Sequence, residues 1–460
     1  MSSEWPLIKV EDVCSLIVDC VNKTAPVSEQ PTPFRMIRTT NVRNGRINLS
    51  DCKFVDEETF GKWTRRAEVR AGDVILTREA PIGEVGAVPD TEGLFLGQRL
   101  MQYRADRSKL DQRFLLYSFL SPQLQHQFGS HEGSGSVVSH IRVGDCFKFE
   151  LRLPPLPVQQ KIGDILGSLD NKIDLNRRIN QTLEAMAQAI FKSWFVDFDP
   201  VKAKIAALAE GRDPLRTAMS TISGKAEAEL DALPPEAFEQ LAATAALFPD
   251  EMQESALGEI PKGWEIQAAE SLSEVGIGKT PPRKEPQWFT EGDGDWRWVS
   301  IKDMGASGVF QKKSSEFLTS EAVSRFNVRV VPDRTVLLSF KLTIGRVAIT
   351  EGAMVTNEAI AHFKLPSDAA VSSEYLYLYL KSFDYSTLGS TSSIADAVNS
   401  KTIRGLPIVL AERTLIGRFT KAVAPHFQEI RNRQNEIGSL CATRDTLLPK
   451  LLSGEIEVPV

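Results

Sequence analysis

The segment VRAGDVILTREAPIGEVGAV at positions 69–88 occurs a second time, in related form, as VPDRTVLLSFKLTIGRVAIT at positions 331–350. The two segments align without gaps and match Leu76 with Leu338. Short apolar runs with β-branched content, bounded by Gly and Pro, are typical of strands. The segment therefore predicts one strand-containing domain that is present in two copies.

Further matches in the same order extend the repeat in both directions. They pair Trp5 with Trp264, Glu11 with Glu270, 114–119 with 375–380, Gly133 with Gly389, and Leu153 with Leu406. Collinear similarity at an offset of about 260 residues is the mark of an internal repeat. The Leu-rich block near 114 and 375 predicts a short helix, so we expect two tandem α+β domains with mixed sheets.

A different pattern follows each copy. Core positions alternate steps of four and three from Ile162 to Trp194, and again from Phe419 to Leu451, as in a coiled-coil seam. Two such helices in one chain can bury their seams on each other, and each spans on the order of 50 Å at about 1.5 Å per residue. We therefore expect two long helices that pair as an antiparallel coiled coil.

Some seam positions are polar, namely Asn176, Asn180, His426, Arg433 and Arg444. A polar residue in a coiled-coil core usually fixes register and orientation at a cost in stability. The alternative is that these side chains lie at a helix end or reach into solvent from a short, loose pairing. The two interpretations differ in whether the side chains are buried.

These differences in sequence pattern predict a division of the 460 residues into two domains and their connecting segments. The predicted segments are 1–155 for the first domain, 156–198 for the first long helix, 199–257 for an acidic, partly helical connector, 258–410 for the second domain, and 411–460 for the second long helix and C-terminal tail.

The net charge of −6 is unevenly distributed. Residues 199–260 hold five Lys or Arg against twelve Asp or Glu, whereas 35–78 hold ten against six and 279–346 hold twelve against eight. Binding to DNA needs a local basic face that displaces counterions from phosphate, whatever the total charge. An excess of this size also occurs on ordinary solvated surfaces, so it supports DNA binding only together with other signals.

The sequence lacks the signatures of several functional classes. No apolar run approaches the roughly 18 residues that span a bilayer, and no signal-peptide pattern opens the chain, so we expect a cytoplasmic protein without a membrane partner. The cysteines and histidines have no metal-ligand spacing. The triplet Gly278-Lys279-Thr280 ends like a phosphate-binding loop, but the first glycine would fall at Ser273 and Pro281 cannot open the helix. We therefore predict no catalytic residue, no metal and no cofactor.

Residues suited to DNA recognition follow predicted strands in both copies. Arg, Asn, Gln and Lys on rigid loops can recognise base edges, while Ser, Thr and further cations hold the backbone. The loops align between copies but their residues differ, as two domains that recognise different sequences require. Any one of these residues, taken alone, is better explained as an ordinary surface residue than as a base contact. The group as a whole is a stronger indication of DNA binding than any of its members. The predicted DNA-binding residues are Arg38, Thr39, Asn41, Arg43, Asn44, Arg46, Arg78, Gln98, Arg99, Ser134, Ser136, Ser300, Lys302, Lys312, Lys313, Ser339, Lys341, Thr343, Asn357, Ser390 and Thr391.

Four segments resemble the specificity subunits of type I restriction-modification systems. They are LPPLPVQQKI at 153–162, FKSWFVDFDP at 191–200, GEIPKGW at 258–264 and LLPKLLSGEI at 447–456. The resemblance covers nearly the whole chain, including domain order. The second copy departs from it, because Pro407 is followed by Ile-Val-Leu where the first copy has Pro154-Pro155-Leu156-Pro157.

This resemblance implies two target-recognition domains, each recognising one half of a bipartite, asymmetric site on double-stranded DNA. It also implies that the helices act as a spacer and as the docking surface for two modification subunits, which carry the adenine methyltransferase and its methyl donor. Restriction motor-nuclease subunits would join a larger complex. The chain itself would be a recognition subunit and not an enzyme.

Two other hypotheses stay open at the level of sequence. A stand-alone duplicated DNA-binding adaptor outside restriction would bind specific DNA without a partner. A cryptic methyltransferase or nuclease would bind a methyl donor or cleave DNA with a metal ion.

Overall fold

The repeated segment forms the same hairpin in both copies. In a computed structural model that describes residues 5–130, 140–292, 294–388 and 398–459, Leu76 lies opposite Val85 and Leu338 lies opposite Val347. Aligned residues thus hold the same places in two sheets. The first strand of each hairpin is buried along its whole length, which explains its continuous apolar composition because both of its faces are covered.

The chain divides into two compact units, Met1–Leu175 with Ile437–Val460 and Asn176–Glu436. Among the described residues, the first unit contains a mixed six-stranded sheet, a three-stranded sheet and a strand pair. In spatial order these are Cys14–Asp19, Leu100–Ala105, Val74–Thr77, Val85–Ala87, Gly45–Ile47 and Val42–Arg43; Lys53–Val55, Phe34–Ile37 and Leu94–Leu96; and Leu7–Lys9 with Glu150–Arg152. Its shorter α-helices are Val10–Val13, Glu57–Thr64, Gln112–Leu120 and Pro122–Gly129.

The second unit repeats this arrangement. Its described strands form a five-stranded sheet, a four-stranded sheet and two strand pairs. They are Glu274–Ile277, Ile360–Lys364, Val336–Ser339, Val347–Thr350 and Phe310–Gln311; Phe289–Thr290, Glu316–Leu318, Trp296–Val299 and Val355–Thr356; Glu265–Ala268 with Pro407–Leu410; and Met252–Ser255 with Gly258–Pro261. Its shorter α-helices in the sheet region are Ala269–Leu272, Ile301–Ala306, Ser320–Arg325, Ser373–Ser382 and Ser400–Arg404.

Two long helices follow the sheets: Leu156–Phe195, the first long helix, and Arg413–Ser453, the second long helix. In the second unit, the Phe191 and Phe419 ring centroids are 5.6 Å apart and Arg433 donates to Asn176. Residue numbers rise along one helix and fall along the other, so the helices run antiparallel there. In the first unit, the same direction places Arg444 against Asp170.

The polar seam positions are of two kinds. Asn176 is fully buried, and its side chain accepts from Arg433 Nη1 at 2.9 Å and donates to Glu436 Oε2 at 2.8 Å. Asn180 and His426 are half-buried. Asn176 therefore fits the register-setting interpretation, since its polar groups are satisfied only when it faces this part of the second long helix.

Between Phe195 and the second sheet region lie three further α-helices, Asp199–Ala209, Pro214–Ser223 and Pro235–Ala245. Asp213 caps the second of them by accepting from the backbone N–H groups of Leu215 and Arg216. In the part of the chain that the structure describes, no helix combines the length and apolar character needed to cross a membrane.

Candidate nucleic-acid interface

In the first copy, the residues after strand Phe34–Ile37 form a tight turn. The Arg38 backbone N–H donates to Asn41 Oδ1 at 2.8 Å, and Asn41 is only 2% exposed. Arg38 Nη2 lies 3.0 Å from Asp51 Oδ2. Asn41 was expected to contact DNA, but its buried amide shapes the turn that presents Arg38 and Thr39.

The hairpin loop beside this turn is closed by a hydroxyl group. Thr77 Oγ1 donates to the Pro81 carbonyl at 2.6 Å and accepts from the Glu84 N–H at 3.0 Å. The next residue, Arg78, donates its backbone N–H to the Arg99 carbonyl at 2.8 Å. This bond brings two predicted DNA-binding residues together although they are far apart in sequence.

A parallel strand pair adds Gln98 to the same edge. The Gly97 N–H donates to the Ile37 carbonyl at 2.8 Å, so the chain before Gln98 runs beside the start of the Arg38 turn. We call the group Arg38, Thr39, Arg78, Gln98 and Arg99 the first loop face. Arg99 is exposed, and its Nε lies 3.1 Å from Glu79 Oε2; an ion pair this exposed contributes little stability and can exchange for a phosphate contact.

The hairpin Val42–Ile47 carries three more predicted residues. Arg43 Nε lies 3.6 Å from Glu84, and the Asn44 backbone N–H also points to that carboxylate at 3.4 Å. Arg46 is directed differently, because its Nε lies 2.8 Å from Asp174 and its Nη2 lies 3.2 Å from Asp170, both on the first long helix. Arg46 thus ties the sheet to the helix.

In the second copy, Ser300 begins a helix after strand Trp296–Val299. Its Oγ accepts from the Asp303 N–H at 3.3 Å, and Asp303 Oδ2 accepts from the Ser300 N–H at 2.8 Å, which is a capping box. Lys302, in the first turn, is exposed. The Asn357 N–H donates to the Val299 carbonyl at 3.0 Å and so places Asn357 at the same edge.

The second hairpin loop is closed as the first one is. Ser339 Oγ donates to the Thr343 carbonyl at 2.6 Å and accepts from the Arg346 N–H at 3.0 Å. Ser339 is fully buried, so its hydroxyl takes this structural role where a DNA contact was expected. Lys341 and Thr343 are exposed in the loop.

A further bond joins this loop to the Asn357 region, because the Phe340 N–H donates to the Ala359 carbonyl at 2.9 Å. We call the group Ser300, Lys302, Lys341, Thr343 and Asn357 the second loop face. It occupies the same edge of the second fold that the first loop face occupies in the first fold.

Two residues beside the second loop face were not predicted to bind DNA. The Lys279 N–H donates to the Thr356 carbonyl at 2.9 Å, and the Lys279 side chain is exposed. Leu342 stands between Lys341 and Thr343 and is 92% exposed. The sequence signal for Lys279 was its place two residues after a strand. The sequence signal for Leu342 was an apolar residue in an aligned loop whose residues differ between the copies.

Two other predicted residues lie away from this face. Lys312 Nζ lies 3.3 Å from Glu351 and also donates to Asn435 of the second long helix. Lys313 follows it and is exposed. Lys312 thus ties sheet to helix, as Arg46 does in the first copy. Ser134, Ser136, Ser390 and Thr391 lie outside the described residues.

The described residues contain no group of three or more His, Cys, Asp or Glu placed to hold a metal ion. His362 lies inside the second sheet, 2.6 Å from Thr356 Oγ1, and burial lowers its pKa to about 3. It is a core residue and not a member of a catalytic cluster.

Duplicated sheets, equivalent loop edges and an antiparallel helix pair define a class of protein built from two related domains that are joined to paired long helices. The family model for the type I restriction modification DNA specificity domain matches residues 2–185 and 261–411. The chain therefore belongs to the family of type I restriction-modification DNA specificity subunits.

Individual relatives agree with this assignment. The HindI specificity subunit of Haemophilus influenzae is 33% identical over 438 residues, which cover 91% of this chain and 94% of the relative. The MjaIX specificity subunit of Methanocaldococcus jannaschii is 24% identical over 399 residues, covering 84% and 78%. The crystal structure of a type I S subunit from M. genitalium has the same fold, with a TM-score of 0.50, 14% identity and coverage of 98% and 97%.

These comparisons confirm the predicted family, the α+β fold with paired long helices, and the role of a specificity subunit. They also confirm that the chain is a recognition component and not an enzyme, because its relatives are specificity subunits.

Proposed function

We propose that residues 1–155 and 258–410 are two target-recognition domains that recognise separate halves of a bipartite, asymmetric DNA sequence. One observation supports this most directly: equivalent edges of two equivalent folds carry different side chains. The sequence comparison pairs Gln98-Arg99 with Asn357-Glu358, but the strand register shifts that pairing by one residue: Gly97, Gln98 and Arg99 in the first domain correspond to Asn357, Glu358 and Ala359 in the second. A constant framework with divergent loops is what two different half-sites require.

We propose the two loop faces as the DNA contacts, with Arg43, Asn44 and Lys279 beside them. Arg can bind guanine, and Asn or Gln can bind adenine, through paired hydrogen bonds in the major groove. Lys302, Lys341, Ser and Thr side chains suit phosphate contacts. Arg46 and Lys312 are better explained as ties between sheet and helix, since their side chains contact Asp170, Asp174 and Asn435 of the long helices.

We propose that the two long helices, which lie within the predicted segments 156–198 and 411–460, set the distance between the half-sites and dock two methyltransferase subunits. The segment 199–257 would be an acidic connector. Membership of the family implies DNA and the modification and restriction subunits as partners; two copies of the modification subunit match the two heads. The methyl donor and the chemistry would then belong to the partners.

Long-read methylome sequencing of cells with and without this gene tests the proposal. We expect one split adenine-methylation sequence that disappears with the gene. Exchanging residues 1–155 for those of a relative should change one half of that sequence and leave the other half and the spacer unchanged. A continuous methylated sequence, or simultaneous change of both halves, would contradict it.

A matched pair of variants tests the contacts themselves. Gln98→Ala should relax specificity in one half-site and Asn357→Ala in the other, each lowering discrimination by about 10-fold to 100-fold if it removes a paired base contact. Methylation of a library of substituted sites by the assembled complex measures both. Relaxation of the same half by both variants would refute the assignment of one loop face to each half-site.

A further inference from the structure

Leu342 lies at the tip of the loop in the second loop face, and its environment is unusual for its residue type. It is 92% exposed, and its backbone has a φ of 61°. A positive φ is unfavourable for a bulky side chain, and an exposed leucine gains nothing from burial. The fold therefore holds an apolar side chain in water in a strained conformation.

The loop fixes where this side chain points. Besides the two bonds of Ser339 Oγ, the Gly345 N–H donates to the Ser339 carbonyl at 3.0 Å and the Thr343 N–H donates to the Lys341 carbonyl at 2.7 Å. Each bond spans Leu342, so the tip is pre-organised. Strain that the surrounding structure maintains in this way is typical of functional sites.

The neighbours of Leu342 indicate the kind of partner. Lys341 and Thr343 on either side are exposed and can bind phosphate, and the nearby Asn357 can bind a base edge. One leucine surrounded by such groups is not the extended apolar patch of a protein interface. Proteins that distort DNA insert single apolar side chains, leucine among them, between base steps.

We propose that Leu342 is an apolar wedge that enters the base stack of the half-site recognised by the second domain; this rests on the proposed function. Adenine methylation requires the base to leave the duplex, and unstacking one step lowers the cost of that movement. The aligned residue of the first domain is Ala80, which is too short to fill such a gap. The wedge therefore belongs to the second domain.

The test uses the full chain assembled with its modification subunits, and duplexes with 2-aminopurine at successive positions of the second half-site. Wild type should raise the fluorescence at one step. Leu342→Gly should abolish most of that rise and weaken binding by about tenfold through loss of apolar contact. An abasic site placed at the same step should restore the binding of the variant, because that duplex is already unstacked there.

Three controls separate this effect from misfolding and from general loss of affinity. Glycine tolerates a positive φ and Leu342 has almost no packing, so Leu342→Gly should keep the wild-type melting temperature. Leu342→Met should retain the fluorescence rise. Leu257→Gly, at another exposed leucine outside both loop faces, should leave the fluorescence rise unchanged.

The outcomes are distinguishable. If the wild-type complex methylates no split sequence, the proposed function fails and the wedge with it. If it does, and Leu342→Gly unstacks DNA as wild type does, the wedge alone is refuted. The Leu342→Gly complex could instead lose its modification subunits while each assembled complex still unstacks DNA as wild type does. That result would also refute the wedge and would make Leu342 a contact with those subunits.

Discussion

Gln102 and His362 occupy equivalent places in the two sheets, and both are buried. Gln102 Nε2 donates to Asp73 Oδ2 at 2.7 Å, whereas His362 Nε2 lies 2.6 Å from Thr356 Oγ1. Burial lowers the pKa of His362 to about 3, and the nearby Arg329 guanidinium lowers it further. The imidazole is therefore neutral in the folded protein at neutral and mildly acidic pH.

This shift predicts acid sensitivity of the second unit. In the unfolded chain His362 binds a proton below its ordinary pKa of 6.5, whereas in the folded protein it binds one only near pH 3. The free energy of unfolding is therefore unaffected by this group above pH 6.5 and falls as the pH drops from 6.5 toward 3. The loss is up to about 1.4 kcal/mol per pH unit. Urea unfolding at pH 7 and pH 5 measures it. His362→Gln, which copies the first sheet, should reduce the pH dependence; an identical slope would contradict the prediction.

Asp73 organises a buried polar cluster in the first unit. It is 2% exposed, and its carboxylate accepts from Arg104 Nε at 2.8 Å and Nη2 at 2.7 Å besides Gln102. Asp73→Ala removes the acceptor of Arg104 Nε and leaves Gln102 Nε2 and Arg104 Nη2 with only the Glu68 carbonyl, and we expect a loss of about 3–5 kcal/mol in the free energy of unfolding. Chemical denaturation measures it. A loss no greater than that of Asp90→Ala, at an exposed position, would contradict the role of the cluster.

At the scale of elements, the polar residues along the seam of the two long helices differ in whether their side chains have hydrogen-bond partners. Asn176 has partners on the second long helix through both its oxygen and its nitrogen. Among the described residues, Asn180 Oδ1 is buried without a hydrogen-bond partner. A satisfied buried amide specifies one alignment, while an unsatisfied group only costs stability.

These two asparagines provide a matched test. Asn176→Leu removes the acceptor of Arg433 Nη1 and the donor to Glu436, and should lower the free energy of unfolding by about 1–3 kcal/mol. Asn180→Leu should leave stability unchanged or raise it, because it replaces an unsatisfied group with an apolar one. Denaturation midpoints of the two variants give the comparison, and equal losses would show that Asn176 has no special part in helix pairing.

Elements that depend on local periodicity could be predicted from the sequence. Strands containing Leu76 and Leu338 follow from apolar runs between turn residues, and the long helices follow from the heptad seam. The functional side chains could be predicted only as a group. Arg46 faces Asp170, which is 124 residues away, and no local pattern reports such a partner. Ser339 carries a hydroxyl suited to phosphate, yet its position at the start of a hairpin buries it.

At the scale of the whole molecule, the chain is a duplicated DNA specificity subunit whose two loop faces are built on equivalent folds. Each unit contains a segment of both long helices. If the helices set the separation of the half-sites, then helix length and target specificity are independent properties. Loop residues would change the bases that are recognised, and helix length would change only the spacer.

The most direct measurement is the methylated sequence of a complex whose long helices are both lengthened by one turn, about four residues or 6 Å, at the facing positions beside Asn176 and Arg433. DNA rises about 3.4 Å per base pair, so we expect a spacer longer by one or two base pairs between unchanged half-sites. The same insertion in the exposed loop at Gly211 should leave the sequence unchanged. An unaltered spacer in the lengthened variant, with methylation retained, would contradict the central claim that the helices set the spacing.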